Sequence, residues 1–202
     1  LDRAESRLQS VKGTWSASLP AKLCRADLYW RRGDRQAAIE EVKNLLGRQS
    51  DAAGGHALLV ELLLSAGRTG EALERVESVR EDYSYAQGLL LRIARVLHQY
   101  GHAGLALELA LEVRGEESTG LAAHLLAGEI YLSRGLPHRA AHHAEQALKE
   151  SPDNAEALLL AGKAAATLGR TDDARDRLER AMEERPEDSR APYMLAGVLM
   201  SE

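Results

Sequence analysis

The residues of this 202-residue chain whose type and spacing could do chemistry are its seven histidines. His138 and His142 stand four residues apart, which places both on one face of a helix, and His143 lies beside them. His98 and His102 have the same spacing. Neutral imidazole is a common metal ligand, so these pairs raise the question of a metal site.

A metal site needs more ligands than either pair supplies. Structural zinc takes four protein ligands and catalytic zinc takes three with a water, and the chain has no CxxC or HExxH string. Asp172 or Asp176 could add a third ligand to His138 and His142. We favour the alternative that these are solvated histidines on an outer helix face. We therefore predict neither a metal nor a cofactor.

Nucleophilic chemistry and phosphate binding have even less support in the sequence. Cys24 is the one cysteine, so no disulfide can form within the chain, and no base with an orienting group stands near it. Gly54 and Gly55 lack the GxxxxGK and GxGxxG spacings of phosphate-binding loops, and they fit a flexible helix entry. We predict that the chain is not an enzyme.

The elements that carry these residues belong to a repeat of 34 residues. Glycine recurs at this interval, and alanine follows each of these glycines by five residues. The glycines are Gly33, Gly67, Gly101, Gly135 and Gly169, and the alanines are Ala38, Ala72, Ala106, Ala140 and Ala174. Glycine is 17 of 202 residues, so four further matches at a fixed interval have chance odds of about 1 in 20,000. The period is therefore real.

The repeat divides the chain into five complete units and two partial ones. The complete units run from 19 to 52, 53 to 86, 87 to 120, 121 to 154 and 155 to 188. Residues 1 to 18 match the second helix of a truncated upstream unit. Residues 189 to 202 match a terminal capping helix or a truncated next unit. The alignment needs no insertion, which predicts one continuous array.

Each unit is predicted to be a helical hairpin, because its apolar residues recur at intervals of three and four. The repeated glycine ends the first helix, since glycine adopts the left-handed conformation without steric strain. Thr69, Thr171 and Pro137 then begin second helices. Pro152 and Pro186 end second helices before the next hairpin. The third unit ends in EVRGEESTG and lacks such a proline, which predicts a shorter second helix.

This pattern resembles the tetratricopeptide repeat (TPR), which has a small residue at position 8, glycine at 15, alanine at 20 and proline at 32. The resemblance covers the whole chain and implies an all-α fold, a right-handed superhelix of helical hairpins. Position 4 usually holds a bulky apolar residue in that family, but here it holds His56 in the second unit and His124 in the fourth. The alternative is another helical-hairpin array, such as a Sel1-like or unclassified repeat.

The composition argues against one class of partner and does not indicate the cellular compartment. The net charge is −5 and no basic stripe occurs, which argues against nucleic acid as a partner. No segment approaches the length of about 20 apolar residues that spans a bilayer, and no leader opens the chain. The cytoplasm and the bacterial periplasm both remain open. A chain rich in Ala, Leu, Arg and Glu without phenylalanine indicates a bacterial, GC-rich genome.

The resemblance implies that the first helices of successive units line a concave groove. Leucines dominate the inward positions, with single charges of both signs between them. The predicted partner-binding residues are Leu23, Asp27, Trp30, Leu58, Glu61, Leu64, Leu91, Arg95, His98, Leu125, Glu129, Leu132, Leu159 and Lys163. Such a surface suits an amphipathic helix or an extended apolar peptide. The alternative is that these leucines cover one another, or pack on portions of the protein that this sequence does not include.

The leading hypothesis is a non-enzymatic scaffold that binds a protein or peptide in this groove. The family's carboxylate clamp for chaperone C-termini requires lysine and asparagine where the first unit has Leu23 and Asp27. One alternative is an architectural segment of a larger bacterial protein, such as a component of polysaccharide export or a secretion assembly. Another is an accessory domain of a catalytic chain.

The partial units predict weak self-association. Each leaves an apolar helix face without its usual neighbour. We expect Leu8 and Val11 at one end, and Leu195, Val198 and Leu199 at the other, to be partly exposed or covered by another molecule. End-to-end stacking of such faces need not close into a defined oligomer, so it should depend on concentration.

Overall fold

A computed structural model describes residues 19 to 47, 53 to 113 and 118 to 200, and these residues contain eleven α-helices and no strand. The helices are α1 (Leu19–Arg31), α2 (Arg35–Leu46), α3 (Ala53–Ser65), α4 (Thr69–Asp82), α5 (Gln87–Gln99), α6 (Ala103–Glu112), α7 (Ser118–Ser133), α8 (Pro137–Glu150), α9 (Ala155–Thr167), α10 (Thr171–Glu184) and α11 (Arg190–Leu199). The predicted all-α class is confirmed. The partial unit predicted at residues 1 to 18 lies outside the described residues.

The chain forms two compact units, Leu1–Tyr100 with α1 to α5 and Gly101–Glu202 with α6 to α11. Fully buried aliphatic side chains form the core of each unit. In the first unit they include Ile39, Leu45, Leu59, Leu63 and Ile93, and in the second Leu109, Ile130, Leu158 and Leu178. Each core is thus built from side chains of successive helices, as in a repeat array.

The five repeated glycines stand two residues after the ends of α1, α3, α5, α7 and α9. All five have positive φ, between 69° and 86°, as the sequence predicted. At Gly135 the backbone N–H donates to the carbonyl of Leu132, and the N–H of Leu136 donates to that of Tyr131. These two bonds close a Schellman motif, which satisfies carbonyls left free at the end of α7.

Small residues set how closely the helices of each hairpin approach. Ala140 and Ala174 are fully buried, and Gly128 and Gly162 lie opposite their carbonyl groups. A Cβ atom at Gly162 would lie 2.8 Å from Cγ of Leu178, closer than carbon atoms can pack. The predicted role of the small residue at position 8 is therefore supported by the geometry.

The helix boundaries follow local sequence signals. Pro137 occupies the first turn of α8, and α8 ends before Pro152. The second helix of the third repeat, α6, has 10 residues, whereas α4 has 14, so the prediction of a shorter second helix there is confirmed. Thr69 and Thr171 are the first residues of their helices and form no capping bond. Asp34 and Asn154 cap α2 and α9 instead, by accepting backbone N–H bonds.

The terminal helix α11 differs from the prediction at one residue. Val198 is buried in the core of the second unit, whereas we expected it to be partly exposed. Leu195 is partly buried against the same core, and Leu199 is about half exposed at 49%. Val198 turns inward because it lies on the face of α11 that packs on α10. Leu8 and Val11 lie outside the described residues.

Candidate functional site

A groove in the first unit is lined by α1, α3 and α5, the first helices of the first three repeats. Its volume is about 490 Å³. The lining residues are Leu23, Gly54, Ala57, Leu58, Glu61, Arg92, Arg95 and Val96. Four of these, Leu23, Leu58, Glu61 and Arg95, are among the partner-binding residues predicted from the sequence.

The groove combines an apolar floor with charges on two walls. Leu23 and Leu58 are half-buried, so part of each side chain is open to a ligand. Glu61 lies on α3, and Arg92 and Arg95 lie on α5. None of these three charged groups forms an ion pair with another described residue.

Arg92 was not chosen among the predicted partner-binding residues, although its repeat position faces the groove in the family that the sequence resembles. Its position corresponds to that of Leu58 one repeat earlier. Its guanidinium reaches across from α5 to the start of α3, where a Cβ built on Gly54 would lie 3.7 Å from its Nη1 atom. A glycine at this point leaves the space beside the guanidinium open.

Five predicted residues of the first unit contribute differently. Leu64 and Leu91 are 7% and 6% exposed, so they act mainly as core residues, which fits the alternative that the leucines cover one another. Asp27 pairs with Arg31 at 2.7 Å. Trp30 and His98 are half-buried, and the guanidinium of Arg35 lies 5.4 Å from the centre of the Trp30 ring.

The predicted residues of the second unit do not line the groove described above. Leu125 and Leu132 are half-buried, and Leu159 is buried with 6% exposure. Glu129 and Lys163 are exposed. Leu159 belongs to the buried cluster that forms the core of this unit, and Leu125 and Leu132 pack against it. Among these five positions of the second unit, only Glu129 and Lys163 are exposed.

A pair of histidines in the second unit was not predicted. Nδ1 of His124 lies 2.9 Å from Nδ1 of His143, so one ring donates and the other accepts. The ring of His143 also stacks on Tyr131, with centroids 5.3 Å apart. The signal in the sequence was the departure at position 4, where a histidine replaces the usual apolar residue.

The surroundings of this pair hold it neutral. Burial, together with the imidazoles of His124 and His142, lowers the pKa of His143 to about 4. Burial also lowers the pKa of His124, against the opposing effect of Glu150, whose carboxylate lies 4.0 Å from Nε2. The pair therefore acts as a structural hydrogen bond between α7 and α8 near neutral pH.

Three of the other residues first considered for chemistry are exposed. His138 and His142 lie on α8, where the ring centroid of His142 is 5.5 Å from that of His143, and Cys24 lies on α1. Among the described residues, no three His, Cys, Asp or Glu side chains are grouped closely enough to hold a metal ion. No described helix is both long and apolar enough to cross a membrane.

Two family models match the chain, and both describe the tetratricopeptide repeat. One covers residues 25 to 86 and the other residues 131 to 199, so they fall on different parts of the array. The chain is a tetratricopeptide repeat protein. Proteins built from this repeat are generally non-catalytic scaffolds that bind peptides or other proteins.

Solved structures of TPR proteins share the fold at low sequence identity. TTC0263, a TPR protein of Thermus thermophilus, has 19% identity and a TM-score of 0.60, covering 91% of this chain and 100% of that chain. Pseudomonas aeruginosa pilF has 17% identity and a TM-score of 0.65, covering 90% and 84%. YrrB, described as a TPR protein with an unusual peptide-binding site, has 18% identity and a TM-score of 0.59, covering 86% and 89%. No curated protein matched the sequence.

Proposed function

We propose that this TPR protein is a non-enzymatic scaffold that holds a polypeptide segment in the groove between α1, α3 and α5. The observation that supports this most directly is that one groove combines half-buried Leu23 and Leu58 with three charged side chains that form no ion pair with a described residue. Apolar surface supplies affinity when it is buried, and the charges orient the ligand. A polypeptide segment offers both kinds of group.

The size of the groove agrees with a short segment. A volume of about 490 Å³ lies within the range of roughly 300 to 1,000 Å³ that holds a drug-sized ligand, which corresponds to a few side chains. An amphipathic helix would place one apolar stripe in the groove, and an extended peptide would place alternate side chains there. YrrB, a protein of the same fold, is described as having a peptide-binding site, and this supports a polypeptide as the ligand.

Selection from a displayed random peptide library tests this proposal. The peptides should be fused at both ends, so that only internal segments are offered to the immobilised chain. We expect the wild-type chain to enrich related sequences and the Leu58→Asp variant to lose them, because a carboxylate would then occupy the apolar floor. Arg134→Glu is a matched control, since Arg134 is exposed on the second unit. Absence of enrichment by the wild-type chain would contradict the proposal.

An architectural role is the second candidate, favoured by exposed apolar side chains on α11 and just after it. Tyr193 and Met200 are 83% and 89% exposed, and large apolar groups of this kind often lie at contacts with another element or molecule. Light scattering over a hundredfold dilution measures this tendency. Two results together would favour the architectural role. The chain would associate in a concentration-dependent way that Tyr193→Ser and Met200→Ser abolish, and it would enrich no peptide.

A further inference from the structure

We infer that the segment bound in this groove carries an internal aspartate or glutamate next to an apolar residue, with its carboxylate between Arg92 and Arg95. This inference rests on the proposed function and adds the chemistry of the ligand. It follows from the placement of three charges around the apolar floor, and it makes the sequence of the bound segment predictable.

The two arginines are arranged to receive one carboxylate. Arg92 and Arg95 stand three residues apart on α5, so their side chains leave neighbouring points on one helix face, with Cβ atoms about 5–6 Å apart. Both are exposed, and both line the groove. A guanidinium presents a planar set of N–H donors that matches a carboxylate, and a carboxylate can accept bonds from two such groups.

Several other arginines in the described part of the chain have carboxylate partners. Nη2 of Arg68 lies 2.7 Å from Oε2 of Glu71. Nη2 of Arg177 lies 3.1 Å from Oε1 of Glu145, which belongs to the preceding hairpin. Arg92 and Arg95 form no ion pair with a described residue, although Glu61 lines the same groove. Like charges at this helical spacing repel each other. A carboxylate bound between them would replace this repulsion with two attractions.

The remaining lining residues determine what flanks the carboxylate. Val96 follows Arg95 directly, and Leu23 and Leu58 provide the half-buried floor, so an apolar side chain beside the acid would be covered. Glu61 lies on the α3 wall and would repel a second acidic residue placed there. An internal side chain is favoured over a chain terminus, because Leu23 and Asp27 stand where a clamp for a terminal carboxylate has lysine and asparagine.

The same peptide library tests this inference. We expect the wild-type chain to enrich sequences with an acidic residue adjacent to Leu, Ile, Val or Met. The double variant Arg92→Glu with Arg95→Glu should instead enrich lysine or arginine at that position, because the charge of the wall is reversed. Arg134→Glu should keep the wild-type preference.

A double-mutant cycle on one enriched peptide then locates the contact. The peptide is acetylated and amidated, so its terminal charges are absent, and binding is followed by fluorescence anisotropy. Changing its acidic residue to the amide should weaken binding to the wild-type chain about tenfold or more. The same change should have little effect on the Arg92→Gln, Arg95→Gln variant, since the partner groups are already gone. The wild-type affinity should also fall as the salt concentration rises.

The outcomes separate this inference from the proposed function. Enrichment of apolar peptides without an acidic residue would show this inference to be wrong while the scaffold proposal stands. Enrichment of acidic peptides that is unchanged in the charge-reversed variant would also show it to be wrong. No enrichment by the wild-type chain would contradict both. Circular dichroism checks that each variant is folded, and the glutamine variant provides the test if charge reversal unfolds the chain.

Discussion

The imidazoles of His124 and His143 share a hydrogen bond, with their Nδ1 atoms 2.9 Å apart. This bond joins α7 to α8 within one hairpin. It requires that at least one of the two Nδ1 atoms carries no proton, because an acceptor is needed. If both rings became charged, the bond would be lost and two positive charges would face each other.

We expect this pair to make the stability of the chain depend on pH in a defined window. The pKa of His143 is about 4 in the folded chain and about 6.5 in an unfolded one. Between these values the unfolded chain binds more protons, so stability should fall as the pH falls from about 6.5 to 4, by up to about 3 kcal/mol. Urea unfolding measured at a series of pH values checks this.

Two variants separate this effect from other titrating groups. His143→Gln should flatten the dependence above pH 4, because glutamine does not titrate, whereas His138→Gln should leave it unchanged, since His138 is exposed. The pKa of Asp188 is lowered to about 2 by hydrogen bonds from Arg190, so protonation of that carboxylate destabilises the chain only below about pH 4. An unchanged pH profile in His143→Gln would contradict our assignment.

The close packing at Gly162 predicts a loss of stability on adding one methyl group. Gly162→Ala should destabilise the chain by about 1–3 kcal/mol, because the new Cβ would meet Leu178 at 2.8 Å. Gly104→Ala is the matched control, since that glycine also lies in a helix and a Cβ there meets nothing within 4 Å. The control should stabilise by up to about 1 kcal/mol through helix propensity. Thermal unfolding of both variants distinguishes the two effects.

The turn at Gly101 tests backbone strain without steric contact. A Cβ at this residue would meet nothing within 4 Å, but its φ of +86° disfavours a β-branched side chain. Gly101→Val should therefore destabilise by on the order of 1 kcal/mol or more. Gly70→Ala, at a helical glycine without positive φ, should show no such loss in the same denaturant titration. Equal stability of wild type and Gly101→Val would show that the turn relaxes without strain.

Trp30 and Leu64 should respond differently, although they occupy the same repeat position. Trp30 is half-buried and is not among the residues that line the groove. If it anchors the ligand as the sequence predicts, Trp30→Ala should weaken peptide binding by roughly 2 kcal/mol while helicity is retained. Leu64 is 7% exposed, so Leu64→Ala should lower the free energy of unfolding by about 2–5 kcal/mol through loss of core packing. Anisotropy and urea unfolding, measured on both variants, test this. A Trp30→Ala variant with unchanged affinity would place Trp30 outside the binding surface.

Much of the fold could be predicted because its determinants are local. Gly33 and Gly135 end helices through the conformational freedom of glycine, which acts within a few residues of the chain. The period of 34 residues then repeats the same local choice along the array. The helical spacing of apolar residues predicted which helix faces are buried. The resemblance to a family of known geometry predicted how the hairpins stack.

Other features depended on contacts between residues far apart in the sequence. Whether Leu64 or Leu58 faces a ligand or the core is decided by the neighbouring helices that cover each side chain, and no spacing within one helix reveals that. The pairing of His124 with His143 likewise requires two helices to pack at one angle. The sequence by itself therefore determined the helices, their turns and the repeat. Only the tertiary structure decided which inward residues stay accessible and which charged side chains pair with one another in the described part of the chain, because both depend on packing between helices.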